Sequence, residues 1–127
     1  MTAERILLDS VILIDLLNGV PAARQWLATM QEAGCVSAIT RAEVLAGVTD
    51  AETVSDVRAL LDGYSWLAID PEVADLAAEL RYRHRWKLPD ALQAAVALHH
   101  GVLLATRNTR DFPPQVHPFV RVPYAAP

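Results

Sequence analysis

The 127-residue sequence contains a single cysteine, Cys35. A lone thiol excludes an internal disulfide and a cysteine-rich zinc site, and the neighbours Val36 and Ala38 mark Cys35 as a small buried residue. Long hydrophobic runs are missing too. Although 53% of the residues are apolar, they are interrupted throughout, and no run approaches the roughly twenty residues needed to cross a bilayer. Residues 1–5 are too few and too polar to open a secretory signal, so the expected location is the cytoplasm. There is no basic excess: the formal net charge is −4, without the footprint that usually accompanies nucleic-acid binding. Repeats, linkers and low-complexity segments are absent. The expectation is one domain, residues 1–127, large enough to bury a core without staples.

What is present is an alternation of short apolar runs and helical periodicity. Ile6-Leu7-Leu8 has no polar face, as expected of a strand buried on both sides. Val11, Leu13, Ile14 and Leu17 then follow helical spacing, so the change from strand to helix falls at Asp9-Ser10. A second helix is expected over residues 22–32, a second strand at Cys35-Val36-Ser37-Ala38, and a third helix over residues 40–48. Asp50 is placed to cap a fourth helix that Gly63 stops, and Trp66-Leu67-Ala68-Ile69 is the third strand candidate. Asp70-Pro71-Glu72 opens the next helix, and Leu88-Pro89-Asp90 opens an alanine-rich one capped by Gly101. Val102-Leu103-Leu104-Ala105 is a further apolar strand, and residues 119–122 are expected as a last edge strand. Strands separated by helices predict an α/β/α sandwich with a mostly parallel central sheet.

Ligands in such sheets bind beyond the strand ends that feed the helices. Four acids fall at comparable places there: Asp9, Glu43, Asp90 and Asp111. Carboxylates from separate segments suit hard divalent cations such as magnesium, and a pair of such ions about 4 Å apart activates water and stabilises the leaving oxygen of a phosphodiester. Each acid also has a purely structural explanation. Asp9 suits a helix cap, Thr40-Arg41-Ala42-Glu43 has the pattern of a capping box, Asp90 suits a first helical turn after Pro89, and Asp111 suits a turn. What favours a shared site is that all four lie at one sheet edge.

Other residues have weaker cases. Asp15 is expected to face solvent, Asp70 is explained as a cap, and no pair of histidines has zinc spacing. Ser10, Ser37 and Thr106 suit either support of the acids or ordinary polar strand ends. Arg81, Arg83, Arg85 and Lys87 with His84 form a dense basic stretch of the kind that usually ends a helix in solvent. Arg107 and Arg110, beside Asp111, are expected to be better placed to meet phosphate.

Four segments together resemble a known family. Ile6-Leu7-Leu8-Asp9-Ser10, the run from Ser37 through Thr40-Arg41-Ala42-Glu43 to Gly47, Pro89-Asp90-Ala91-Leu92-Gln93-Ala94-Ala95, and Leu104-Ala105-Thr106-Arg107-Asn108-Thr109-Arg110-Asp111-Phe112 are similar, in order, to the motifs of PIN-domain ribonucleases, in particular VapC toxins of type II toxin-antitoxin systems. The resemblance implies a magnesium-dependent endoribonuclease, with manganese as a substitute. It also implies a homodimer and inhibition by a VapB-type antitoxin. Asp9, Glu43, Asp90 and Asp111 match the family's four acids, implied to be both catalytic and metal-binding, while Thr106 and Asn108 match polar positions that organise the last loop. Gln93 and Val96 depart from the smaller or more polar side chains frequent in relatives, a difference expected to affect packing.

The expected function is therefore hydrolysis of RNA at a divalent-metal site. A catalytically silent PIN-like module that binds RNA or a protein partner is the alternative, and the intact acids weigh against it. A dehalogenase-type phosphatase would need Asp-x-Asp after the first strand, where Val11 stands instead.

Overall fold

The computed structural model describes residues 4–127. Residues 1–3, on which the absence of a secretory signal was partly read, lie outside the described residues. The chain alternates strands β1 (Ile6–Leu8), β2 (Gly34–Ser37), β3 (Ser65–Leu67), β4 (Leu103–Ala105) and β5 (Val120–Arg121) with helices α1 (Ser10–Leu17), α2 (Pro21–Ala28), α3 (Ala38–Ala46), α4 (Ala51–Asp62), α5 (Pro71–His84) and α6 (Leu88–His100). The strands form one sheet in the order β3-β2-β1-β4-β5, with every pairing parallel. The expected mostly parallel sheet is thus parallel throughout, including the short edge strand β5. No helix among the described residues is long and apolar enough to cross a membrane.

The unbroken apolar character of β1 follows from burial on both faces. Leu7, Cys35 and Leu104 point into a core shared with α5 and α6, whereas Ile6, Leu8 and Val36 point into a second core shared with α1 to α4. Alternate residues of the central strands β1, β2 and β4 therefore serve opposite layers, which leaves β1 no solvent-facing side for a polar residue.

Several boundaries shift for identifiable reasons. Helix α2 ends at Ala28, short of the expected residue 32: the N–H groups of Thr29 and Met30 donate to the carbonyls of Trp26 and Leu27, three residues back, and the chain turns. Gly34 then begins β2. A Cβ there would lie 2.8 Å from the Tyr64 ring and 2.9 Å from the Met30 carbonyl, so only glycine fits this approach. Helix α3 begins at Ala38 rather than Thr40, capped by Ser37. Strand β3 is shorter than expected and leaves Trp66 half exposed at the sheet edge.

The sheet order sets the location of the site. From β1 the chain moves to β2 and β3 on one side, then returns through α5 and α6 to β4 on the other side of β1. The crevice beyond the carboxyl ends of β1 and β4 is therefore the topological switch point, where open parallel sheets bind ligands.

Candidate active site

Asp9 follows directly on β1, at this switch point. Its backbone N–H donates to the Ala105 carbonyl at 3.0 Å, extending the pairing with β4 by one residue. Its carboxylate caps α1 by accepting from the Ser10 N–H at 2.9 Å, and its second oxygen accepts from the Thr106 hydroxyl at 2.7 Å. Capping and a site role are thus compatible: the cap fixes the carboxylate at the crevice, 8% exposed.

Glu43 is freed from the capping role its sequence context suggested. The capping box of α3 is formed by Ser37 and Thr40, so Glu43 lies a turn further along. There it accepts a hydrogen bond from the Ser10 hydroxyl at 2.9 Å, which ties α3 to the start of α1 beside Asp9.

Asp90 stands in the first turn of α6, and Asp111 lies in the loop after β4. Asn108 holds Asp111 from both sides, its amide donating to the carboxylate at 3.0 Å and its carbonyl oxygen accepting from the Asp111 N–H at 3.3 Å. Asn108 is itself turned by its N–H, which donates to the Thr106 hydroxyl at 3.0 Å. Thr106 therefore links the Asp9 carboxylate to the loop that carries Asp111.

The four acids repel one another. Burial, followed by the charges of Asp9, Asp111 and Glu43, pushes the Asp90 carboxyl up to about 6 from an ordinary value of 3.8, with Lys87 opposing the rise. Yet among the described residues no three His, Cys, Asp or Glu side chains are close enough to form a finished metal cage. Four carboxylates from four segments are an all-oxygen donor set with surplus negative charge, which fits a hard divalent cation.

A buried polar network behind the acids centres on Gln93, 1% exposed on the inner face of α6. Its amide donates to the Thr40 hydroxyl at 2.9 Å and to Asp9 at 3.4 Å, and its oxygen accepts from the Ser37 hydroxyl at 2.6 Å. Thr40 in turn donates to the Leu8 carbonyl at 2.8 Å. Gln93 thereby joins α6, α3 and the end of β1, a role that the expectation of a mere packing difference missed. The available signal was an amide among Ala91, Ala94, Ala95 and Ala97.

Two expectations fail. Asp15 does not face solvent: it is 5% exposed and accepts two hydrogen bonds from the Arg107 guanidinium, at 2.6 and 2.9 Å, and one from the Tyr124 hydroxyl at 2.7 Å. These bonds hold its carboxyl below the usual range, against the opposing effect of burial. Arg107 is consequently committed to Asp15 rather than poised for phosphate, while Arg110 remains exposed. Ser10, Ser37 and Thr106, for which two readings stood open, all donate into the network around the acids.

Comparison with known proteins places the chain in a family. Residues 6–113 match the PIN domain family. Ribonuclease VapC10 of Mycobacterium tuberculosis is 35% identical over 129 residues, spanning 96% of this chain and 95% of that protein. Ribonuclease VapC19 of the same organism is 32% identical over 126 residues, spanning 93% and 98%. Among solved structures, a toxin-antitoxin complex from Klebsiella pneumoniae contains a chain with a TM-score of 0.86 and 35% identity, covering 95% of this chain and 99% of that one. FitAcB from Neisseria gonorrhoeae gives a TM-score of 0.77 at 26% identity, covering 93% and 97%. The chain belongs to the PIN-domain family.

Proposed function

We propose that this protein is a VapC-like toxic endoribonuclease that hydrolyses RNA phosphodiester bonds with Mg2+, for which Mn2+ substitutes. Asp9, Glu43, Asp90 and Asp111 are the residues that hold the metal. The observation that carries this reading is the support given to three of these acids, each fixed by a dedicated donor: Thr106 on Asp9, Ser10 on Glu43 and Asn108 on Asp111. Structural caps do not need such donors aimed at one crevice.

A divalent ion bound there supplies Lewis acidity toward the phosphate and lowers the pKa of water. The chain's own residues provide placement. Thr106 and the Ser10 N–H hold Asp9 in one orientation, Asn108 sets the approach of Asp111, and Asp90 sits at the positive end of the α6 dipole. In the hydrolysis, water adds to phosphorus, the bond to the leaving oxygen breaks, and that oxygen takes up a proton.

A VapB-type antitoxin and a second copy of the chain are the proposed partners, with action in the cytoplasm. For the antitoxin, support comes from the toxin-antitoxin complex among the structural relatives and from a groove of about 390 Å³ bordered by Ile14, Leu17, Val44 and Val48. Ile14 and Leu17 are 36% and 42% exposed, an apolar strip suited to the apolar face of a partner helix.

The test is RNA cleavage by Asp9→Asn and Asp90→Asn. Both variants are expected to lose cleavage and toxicity while keeping the fold. Full activity in both removes the proposal, and RNA binding without cleavage by the wild type at any Mg2+ or Mn2+ concentration replaces it with a silent binding module.

A further inference from the structure

The basic stretch at the corner between α5 and α6 is not a loose helix end. Its Trp86 is 5% exposed and donates from its indole N–H to the Asp111 carbonyl at 3.0 Å. The same ring stacks on His84 with centroids 4.2 Å apart and meets Phe112 edge-on at 4.8 Å. The corner is therefore pinned against the loop that carries one of the four acids. Lys87, the residue before α6, stands one helical turn ahead of Asp90.

Around this anchor the surface is open and cationic. Ala78, Arg81, Tyr82, Arg83 and Arg85 line a hollow of about 760 Å³. Tyr82 is 89% exposed, an aromatic ring offered to solvent between guanidinium groups. Arg81 is held by donating to the Trp86 carbonyl at 2.7 Å, and Arg83 by its ion pair with Glu79 at 3.1 Å. Arg85 adopts the left-handed conformation, φ 60°, as the C-cap of α5. A side chain other than glycine is strained there.

We propose that this corner is a binding subsite for single-stranded RNA, in which a base stacks on Tyr82 while Arg85 and Lys87 meet the flanking phosphates. The inference rests on the ribonuclease reading and adds to it the path by which the strand reaches the acids. A ring exposed among cations serves the two parts of a single strand, flat base and charged backbone, at once. The contact through Trp86 ties the corner that carries the subsite to the Asp111 loop. It also offsets locally the net charge of −4, which would otherwise oppose an anionic substrate.

Fluorescence anisotropy with a labelled 12-nucleotide oligouridylate, in EDTA so that no cleavage occurs, tests this directly on the full chain. Tyr82→Ala and Arg85→Gly both change exposed residues, and glycine suits the backbone at position 85, so folding is retained. Each variant is expected to weaken binding about tenfold. Arg85→Gly is also expected to reduce the slope of log affinity against log salt by about 0.7. Arg24→Gln, which removes an exposed charge from α2, is the control and is expected to bind as the wild type does. Equal affinity and salt dependence in all four proteins overturns the proposal. So does unchanged RNA binding accompanied by lost binding of an acidic peptide, which assigns the corner to a protein partner. Cleavage in Mg2+ on the same preparations separates the two claims. Wild-type cleavage with unaffected variant binding sinks the subsite alone, whereas weakened variant binding without any wild-type cleavage sinks the ribonuclease reading alone.

Discussion

Arg107 and Asp15 form a two-bond ion pair, Nε to Oδ2 at 2.6 Å and a terminal nitrogen to Oδ1 at 2.9 Å, between the loop after β4 and the middle of α1. Arg107 lies between Thr106, which holds Asp9, and Asn108, which holds Asp111. Tyr124, near the end of the chain, donates to the same carboxylate at 2.7 Å. One charge pair thus locks the loop, α1 and the C-terminal segment together behind the site.

Removing one partner leaves the other charged and poorly solvated. Arg107→Ala is expected to cost about 3 kcal/mol of stability, and Tyr124→Phe, which removes one hydrogen bond, about 1 kcal/mol. Urea unfolding at neutral pH measures both. Because the folded pKa of Asp15 is lowered, this stabilisation is fully present above the ordinary carboxylate value of 3.8 and is lost as pH falls through the lower folded value. In the Arg107→Ala protein that portion of the acid dependence is expected to disappear.

Asp90 has the opposite sign. Its folded pKa of about 6 exceeds the ordinary 3.8, so below both values it has no cost, and the cost grows as pH rises through this window. Asp90→Asn is expected to stabilise the metal-free protein by about 1–2 kcal/mol at pH 7, a figure reduced for its partial exposure. The gain is expected to vanish near pH 4. Urea unfolding in EDTA at both pH values checks this, and the same variant is expected to be inactive.

Gln93 satisfies Ser37 and Thr40 inside the sandwich. Gln93→Leu roughly keeps the volume but removes the acceptor of the Ser37 hydroxyl and one donor to Thr40, which retains its bond to the Leu8 carbonyl, and is expected to cost about 1–2 kcal/mol. Because the network also reaches Asp9, Mn2+ binding is expected to weaken in this variant even where it is fully folded. Calorimetric titration against the wild type measures that effect.

Ser10→Ala removes the donor to Glu43 and leaves the helix cap, which uses the backbone N–H, in place. The expected result is metal binding about tenfold weaker with little loss of stability. An equal loss of both indicates a structural role only.

These residues show what could be read from the sequence alone. Strand β1 and the helices with a single apolar stripe were legible because two-sided burial and the helical repeat leave distinct patterns. Asp9 and Asp90 stood out because one follows a strand that feeds a helix and the other lies in the first turn of a helix, whereas Glu43, a turn inside α3, and Asp111, in a loop, were singled out by their segments' likeness to a family. Partnerships between distant segments were not. Asp15 resembled a solvent-facing residue because its partners lie 92 and 109 positions away. Gln93 resembled a packing variation because Ser37 and Thr40 reach it only once α3 and α6 meet. The end of α2, closed by backbone bonds from Thr29 and Met30 to carbonyls three residues back, leaves no mark in the periodicity.

Everything proposed for this site requires that Asp9, Glu43, Asp90 and Asp111 hold a divalent cation in common. Anomalous diffraction from a crystal soaked in Mn2+ tests it most directly. A strong peak is expected within coordination distance of carboxylates from at least three of these residues. Density showing the acids still apart, with no peak among them at saturating Mn2+, contradicts it.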